Sequence, residues 1–235
     1  MATENHANPS RDPANDASLL GMARQVLDKF LQNVDDMLPA RVVSYDRATN
    51  RVTVIPMVKL LTTDGRQVGR AQIASVPVVR MGGGGVALSF NLAAGNLGWI
   101  KANDRDISLI MQAYKDNAPN TLRKHSFQDA VFIPDVMTGL TIAGEDADNA
   151  TLQTLDGSVK VAIWPDRVKI AAGALNVIVG PSGISIKGNV TIDGTLAVSG
   201  ASTLTGGATI GGIPFGSHKH TGVQPGGGTS GGPTA

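Results

Sequence analysis

Two histidines near the end of the chain, His218 and His220, are the residues best suited to hold a metal ion. In an extended strand, residues two apart project to the same side, so both imidazoles of one chain face one way. Three chains meeting on an axis would gather six neutral nitrogens, an octahedral donor set that suits Fe(II), Ni(II) or Co(II) better than tetrahedral zinc does. Taken alone, a His-x-His near a terminus is more often solvated surface, and Gly216-Ser217-His218 also has the look of a cloning scar. The continuation through Lys219-His220-Thr221-Gly222-Val223 into a glycine-rich tail argues against a scar, and so does a position directly after a repetitive segment.

The other chemically suggestive residues have blander readings. Gly82 to Gly85 could wrap a phosphate, but no Lys-Ser/Thr follows and no helix pattern opens there, which leaves a hairpin turn. Asp104 and Asp106 flank Arg105 in a loop, where a solvated turn or a salt bridge between subunits outweighs acid/base chemistry. His6 and His125 are isolated and take no role, and Trp99 and Trp164 read as packing residues. The absence of cysteine rules out disulfides, thiolate zinc sites and a cysteine nucleophile. No catalytic and no cofactor-binding residue is expected.

These histidines must be positioned by a chain with 29 glycines, 2 tryptophans, 2 tyrosines and 5 phenylalanines among 235 residues. Glycine weakens element interiors and aromatics supply much of a compact core, so such a chain needs repetitive or shared packing. The net charge of +1 gives no basic field to draw nucleic acid. No apolar run reaches the length of a membrane span, and the polar N-terminus lacks a signal-peptide core, so neither classical secretion nor membrane anchoring is expected.

Residues 1–15 read as a disordered tail. Over 16–38, Leu19, Leu20, Ala23, Val26, Leu27, Phe30, Leu31, Val34 and Leu38 recur at helical steps, with Asp16 or Ser18 to cap the helix and Pro39 to stop it. Residues 39–135 read as short strands: 41–45 and 51–61 in a hairpin, then 72–79, 86–90, 98–102 and 107–112. Such spacing suits a small antiparallel barrel, with the OB-fold as the leading candidate.

Beyond about 140, apolar residues sit two apart, as in Val159, Val161, Ile163 and Leu175, Val177, Val179. Glycine then recurs every six residues at Gly188, Gly194, Gly200, Gly206 and Gly212, in step with Ile192, Val198, Leu204 and Ile210. This is a β-helix signature, and one apolar stripe per coil is too little to bury itself. Three chains wound together over 136–213 would close a shared core. Val190, Leu196, Ser202 and Ala208 shrink along the repeat, so the needle should taper toward the tip formed by 214–235.

With those features in place, the sequence resembles the central spike, or membrane-piercing, proteins of contractile-tailed phages. Pro39 to Asp46, Asn50 to Val54, Leu61 to Gly65, Gly82 to Gly85, Gly95 to Ile100 and Asp104 to Ser108 resemble the family's N-terminal domain, and Ser217 to Val223 with the glycine-rich tail resembles its tip. The resemblance implies a mainly β homotrimer: an N-terminal helix, an OB-fold-like domain docked to the tail hub, tail tube and baseplate, and an intertwined trimeric β-helix needle. It also implies one iron per trimer, held by six histidines at His218 and His220, in a virion protein that meets the host outer membrane. No enzyme activity, small-molecule substrate or nucleic-acid partner is implied, and there is no room for the lysozyme domain of larger relatives. Two rivals are weaker. Hexapeptide-repeat acyltransferases usually carry one aliphatic per hexad and a histidine between coils, and a passive fibre or adhesin would carry a bulky tip.

Overall fold

The computed structural model describes residues 18–31, 34–62, 65–142, 144–217, 219, 222 and 226. The expected tail over 1–15, His6, His218 and His220 lie outside them. The chain forms two compact units, divided between Lys187 and Gly188.

Helix α1 (Leu19–Leu31) starts where the Ser18 hydroxyl accepts the Gly21 N–H at 3.0 Å, one of the two caps expected. It is shorter than the 16–38 helix read from the apolar periodicity. Leu38 and Pro39 belong instead to strand β1 (Met37–Asp46), where Leu38 pairs with Ile100 and Pro39 with Trp99. Pro39 does not stop the helix; its carbonyl accepts the Met57 N–H at 2.8 Å from within the sheet. Pairing to two neighbouring strands overrides the local helical pattern there.

β1 turns through Asp46–Asn50 into β2 (Arg51–Pro56), the hairpin expected. Asp46 Oδ1 accepts the Ala48 N–H at 2.9 Å and Asn50 takes φ 55°, so side-chain and left-handed backbone chemistry close the turn. β2 ends at Pro56, and Leu60–Leu61 (β3) folds back on Gln67–Val68 (β4) as a separate small hairpin. After β5 (Ile73–Pro77), a second hairpin pairs β6 (Met81–Gly83) with β7 (Val86–Leu88). Gly84 and Gly85 sit at φ 59° and 86°, the double positive φ of a type I′ turn, so the glycine run is a hairpin tip as expected.

β8 (Leu97–Asn103) and β9 (Ser126–Pro134) complete a five-stranded sheet in the order β5-β2-β1-β8-β9. A parallel bridge between Val78 and Phe132 brings its two edges together and nearly closes the barrel. Alternate residues point inward along β2 and β8, and Val42, Val52, Val54, Val76, Ile100 and Phe132 form the core. This is the OB-like barrel expected of residues 39–135.

Two details differ from the sequence reading. Residues 107–112 were expected as a strand, yet Ser108–Ala113 form a short helix, α2, ended by Tyr114 at φ 51°. The Asp106 carboxylate accepts the Ser108 N–H at 2.9 Å and so turns the chain away from extension. The fifth barrel strand is β9, whose apolar run Ala130 to Ile133 lies behind a long loop.

A second sheet is a simple antiparallel meander in the order β10-β11-β12-β13-β14: Ala150–Gln153, Val159–Ile163, Val168–Ala172, Leu175–Gly180 and Gly183–Lys187. Its turns are short and carry Asp156-Gly157, Pro165-Asp166, Gly173-Ala174 and Pro181-Ser182. In the second unit, the glycine-repeat residues 188–208 form no strand within the chain, and β15 (Thr209–Ile210) pairs with β16 (Ile213–Pro214).

Candidate functional site

The meander has two unlike faces. Its register aligns Leu152, Val161, Ile170, Val177 and Ile186 across all five strands, flanked by Ile163, Val168, Val179 and Ile184 on one side and by Val159, Ala172 and Leu175 on the other. Residues directly opposite in a ladder share a face, so this whole face is apolar. Nothing among the described residues covers it: Leu152, Ile163, Ile170, Leu175 and Ile186 are each more than half exposed. An uninterrupted exposed apolar surface of this kind marks an interaction site.

The opposite face mixes Lys160, Lys169 and Asn176 with Ala162, Ala171 and Ile178 and carries its own cover. Ala162 and Ala171 are buried there, beside a 3₁₀ turn over Gly144–Asp146. The Asp146 carboxylate lies 2.9 Å from Lys160 Nζ and 3.1 Å from Lys169 Nζ, and accepts the Trp164 indole N–H at 3.0 Å. Lys169 also reaches Glu145 at 2.5 Å, and the Arg167 guanidinium stacks 3.7 Å from the Trp164 ring centroid. Burial pushes the Asp146 carboxyl up, but hydrogen bonds from Lys160, Lys169 and Trp164 and the Lys169 charge outweigh it and hold it at about 2. The Lys169 ammonium is raised above its ordinary value, first by Glu145. This cluster was not legible in the sequence: Asp146 is one acid among several in its segment, and only the strand register places both lysines beneath it.

In the barrel, Asp104 and Asp106 do not form a pair. Asp106 is buried and accepts bonds from Thr121 Oγ1 at 2.7 Å and Arg123 Nη2 at 3.1 Å, while Arg123 also grips the buried Asp129 at 2.9 Å. Hydrogen bonds from the Ser108 N–H and the Thr121 hydroxyl, together with the Arg123 charge, hold the Asp106 carboxyl well below the usual carboxylate range. The arrangement fastens the β8–β9 loop and ties both Asp106 and Asp129 to Arg123. Asp104 instead lies 2.7 Å from Arg105 and 3.1 Å from His125 Nε2, an exposed salt-bridge turn. Trp99 is half-buried and donates its indole N–H to Asp135 at 2.6 Å, a packing role with a polar anchor.

At the C-terminal end, Gly211 and Gly212 at φ 57° and 82° turn β15 into β16, and Ile210, Ile213 and Phe215 are exposed around that hairpin. Lys219, between the two tip histidines, is also exposed. Among the described residues no group of three or more His, Cys, Asp or Glu gathers for a metal ion. His218 and His220 lie outside those residues, and their donor chemistry, borderline imidazole nitrogen without a competing thiol, fits a first-row divalent ion such as iron.

Residues 38–135 match the family model described as Phage protein Gp138 N-terminal domain, and residues 212–234 match the GpV Apex motif. The first match runs from β1 to the end of β9 and so coincides with the barrel; the second begins at the β15–β16 turn and includes both tip histidines. No curated protein matches the chain. Both matched families are structural phage proteins. The two matched segments are both features of phage baseplate spikes, consistent with a spike protein of a contractile-tailed phage.

Proposed function

We propose that three copies of this chain form a spike that pierces the host outer membrane when the phage tail contracts, and that the work is mechanical rather than enzymatic. The observation that carries this reading is the apolar face of the β10–β14 meander, exposed along its whole width in a single chain. Three such faces turned toward a common axis would bury one another. Covering the exposed half of each leucine, isoleucine or valine contributes roughly 1 kcal/mol. The glycine repeat supports the same assembly: residues 188–206 alternate apolar and polar yet form no strand with the described residues of their own chain, as expected of strands whose partners belong to other copies.

The barrel, matched to the Gp138 N-terminal domain, is the part that docks to the tail hub, tail tube and baseplate proteins of the virion. At the other end, His218 and His220 of each copy hold one iron ion per trimer. The ion ties three chain ends together where apolar area has run out. The two histidines contribute neutral nitrogen donors, and the glycines around them let three chains approach closely.

Metal analysis by plasma mass spectrometry on untagged protein, together with light scattering, tests the reading. One iron per three chains in a trimeric particle is the expected result. A metal-free monomer would overturn it and return the repeat to acyltransferase-like or adhesin-like alternatives.

A further inference from the structure

Helix α1 presents an apolar side that nothing in the barrel covers among the described residues. Leu19, Leu20, Val26, Leu27, Phe30 and Leu31 are all more than half exposed. They share one side of the helix with Ala23, while Arg24, Gln25, Asp28 and Lys29 lie on the other. A helix of 13 residues is marginal in water without tertiary contacts, so this side requires a partner.

The spacing says what that partner is. Leu20, Ala23, Leu27 and Phe30 follow steps of three, four and three, the a and d positions of a heptad seam, and Leu19 and Val26 widen the seam along one flank. A widened seam suits a helix that touches two neighbours rather than one. The chain a few residues past the helix is tethered. Asp35 N–H donates to the His125 carbonyl at 2.9 Å, Asp35 Oδ1 lies 3.2 Å from Arg70, and the Asp36 carbonyl accepts the Ala102 N–H at 2.7 Å. Those bonds fix the residues just after α1 to the barrel. In an assembly of three barrels they would hold three copies of α1 at an effective concentration in the millimolar range, enough for short helices to associate.

We infer that α1 forms a parallel three-helix bundle with the α1 helices of two further copies of this chain, a second trimer contact at the opposite end of the sequence from the histidine tip. The inference rests on the trimeric reading above. The bundle also removes the exposed leucines from water before any baseplate protein is met.

Because the chain has no cysteine, a single introduced thiol reports cleanly on proximity. Ala23→Cys puts that thiol on the seam, and Asp28→Cys puts it on the polar side. Full-length protein of each variant is sized by light scattering and then mildly oxidised. The expected result is a trimeric particle in both variants, with disulfide-linked pairs at least fivefold more abundant in Ala23→Cys. A trimeric particle with no preference for the seam position would overturn the bundle while leaving the trimer standing, and would assign α1 to a baseplate partner. A monomeric particle would overturn both.

Discussion

Asp146 shows how much depends on a single buried carboxylate. It is 2% exposed and bonded to two lysines and an indole, so replacing it by asparagine leaves two partly buried ammonium groups without their counter-charge. Asp146→Asn should lower unfolding stability by about 2 kcal/mol, measured by denaturant titration. The pH dependence has a definite sign. With its pKa depressed to about 2 from an ordinary 3.8, Asp146 contributes stability that is complete above roughly pH 4 and is lost as pH falls toward 2. Asp156, held at about 2 by the Thr154 hydroxyl and by the Ser158 N–H and hydroxyl, titrates in the same window. The acid slope of stability should therefore be shallower in Asp146→Asn than in the parent. Gly98 is a second sensitive position: a Cβ there would collide with the Ile133 carbonyl and with Phe132 Cζ, and backbone cannot move aside as a flexible side chain can. Gly98→Ala should cost about 1–3 kcal/mol, read as a fall in Tm, without altering the second sheet.

On the proposed reading the meander is the element on which the trimer depends, and its two faces make opposite predictions. Val177 sits mid-sheet, between Ile170 and Ile186 on the apolar face, whereas its neighbour Asn176 lies on the opposite face. Val177→Asp should give monomers or aggregates by light scattering, because a carboxylate in a dry three-fold core has no partner. Asn176→Asp should leave the trimer intact, and equal effects from the two would rule out the apolar face as the contact. This alternation was fully legible in the sequence, since a period of two is a local property of each strand. The barrel was legible for the same reason at Val52 and Val54, and so was a hairpin turn at Gly82 to Gly85, though not its type. What failed was decided in one place by a strand pairing distant in sequence and in the other by a local side-chain bond. Leu38 continues the helical spacing of α1 but pairs with Ile100. Ile107 to Gln112 look extended until the Asp106 carboxylate turns the chain into α2. The tip histidines were legible only as a spacing, and their metal is an expectation that the fold motivates.

For the whole molecule, folding and assembly are one event on the proposed reading, because each chain exposes apolar surface that only other copies cover. Anything that binds the folded state alone stabilises it by mass action, so the midpoint of thermal unfolding should rise with protein concentration. If, as proposed, strands of different copies wind together, unfolding should be slow and hysteretic. The metal enters this linkage as one more ligand of the assembled state. His218→Ala with His220→Ala removes every proposed donor but leaves the meander, the barrel and α1 untouched. The double variant should remain trimeric by light scattering, lose its iron, and melt lower than the parent. Hydrogen exchange should rise only at the C-terminal end, in residues 209–217, with the meander as protected as before. If the variant instead dissociates into monomers, the apolar faces are too weak to hold the trimer and the tip is its main clasp. That outcome would reverse the order of causes argued here, in which packing makes the trimer and the metal hardens its point.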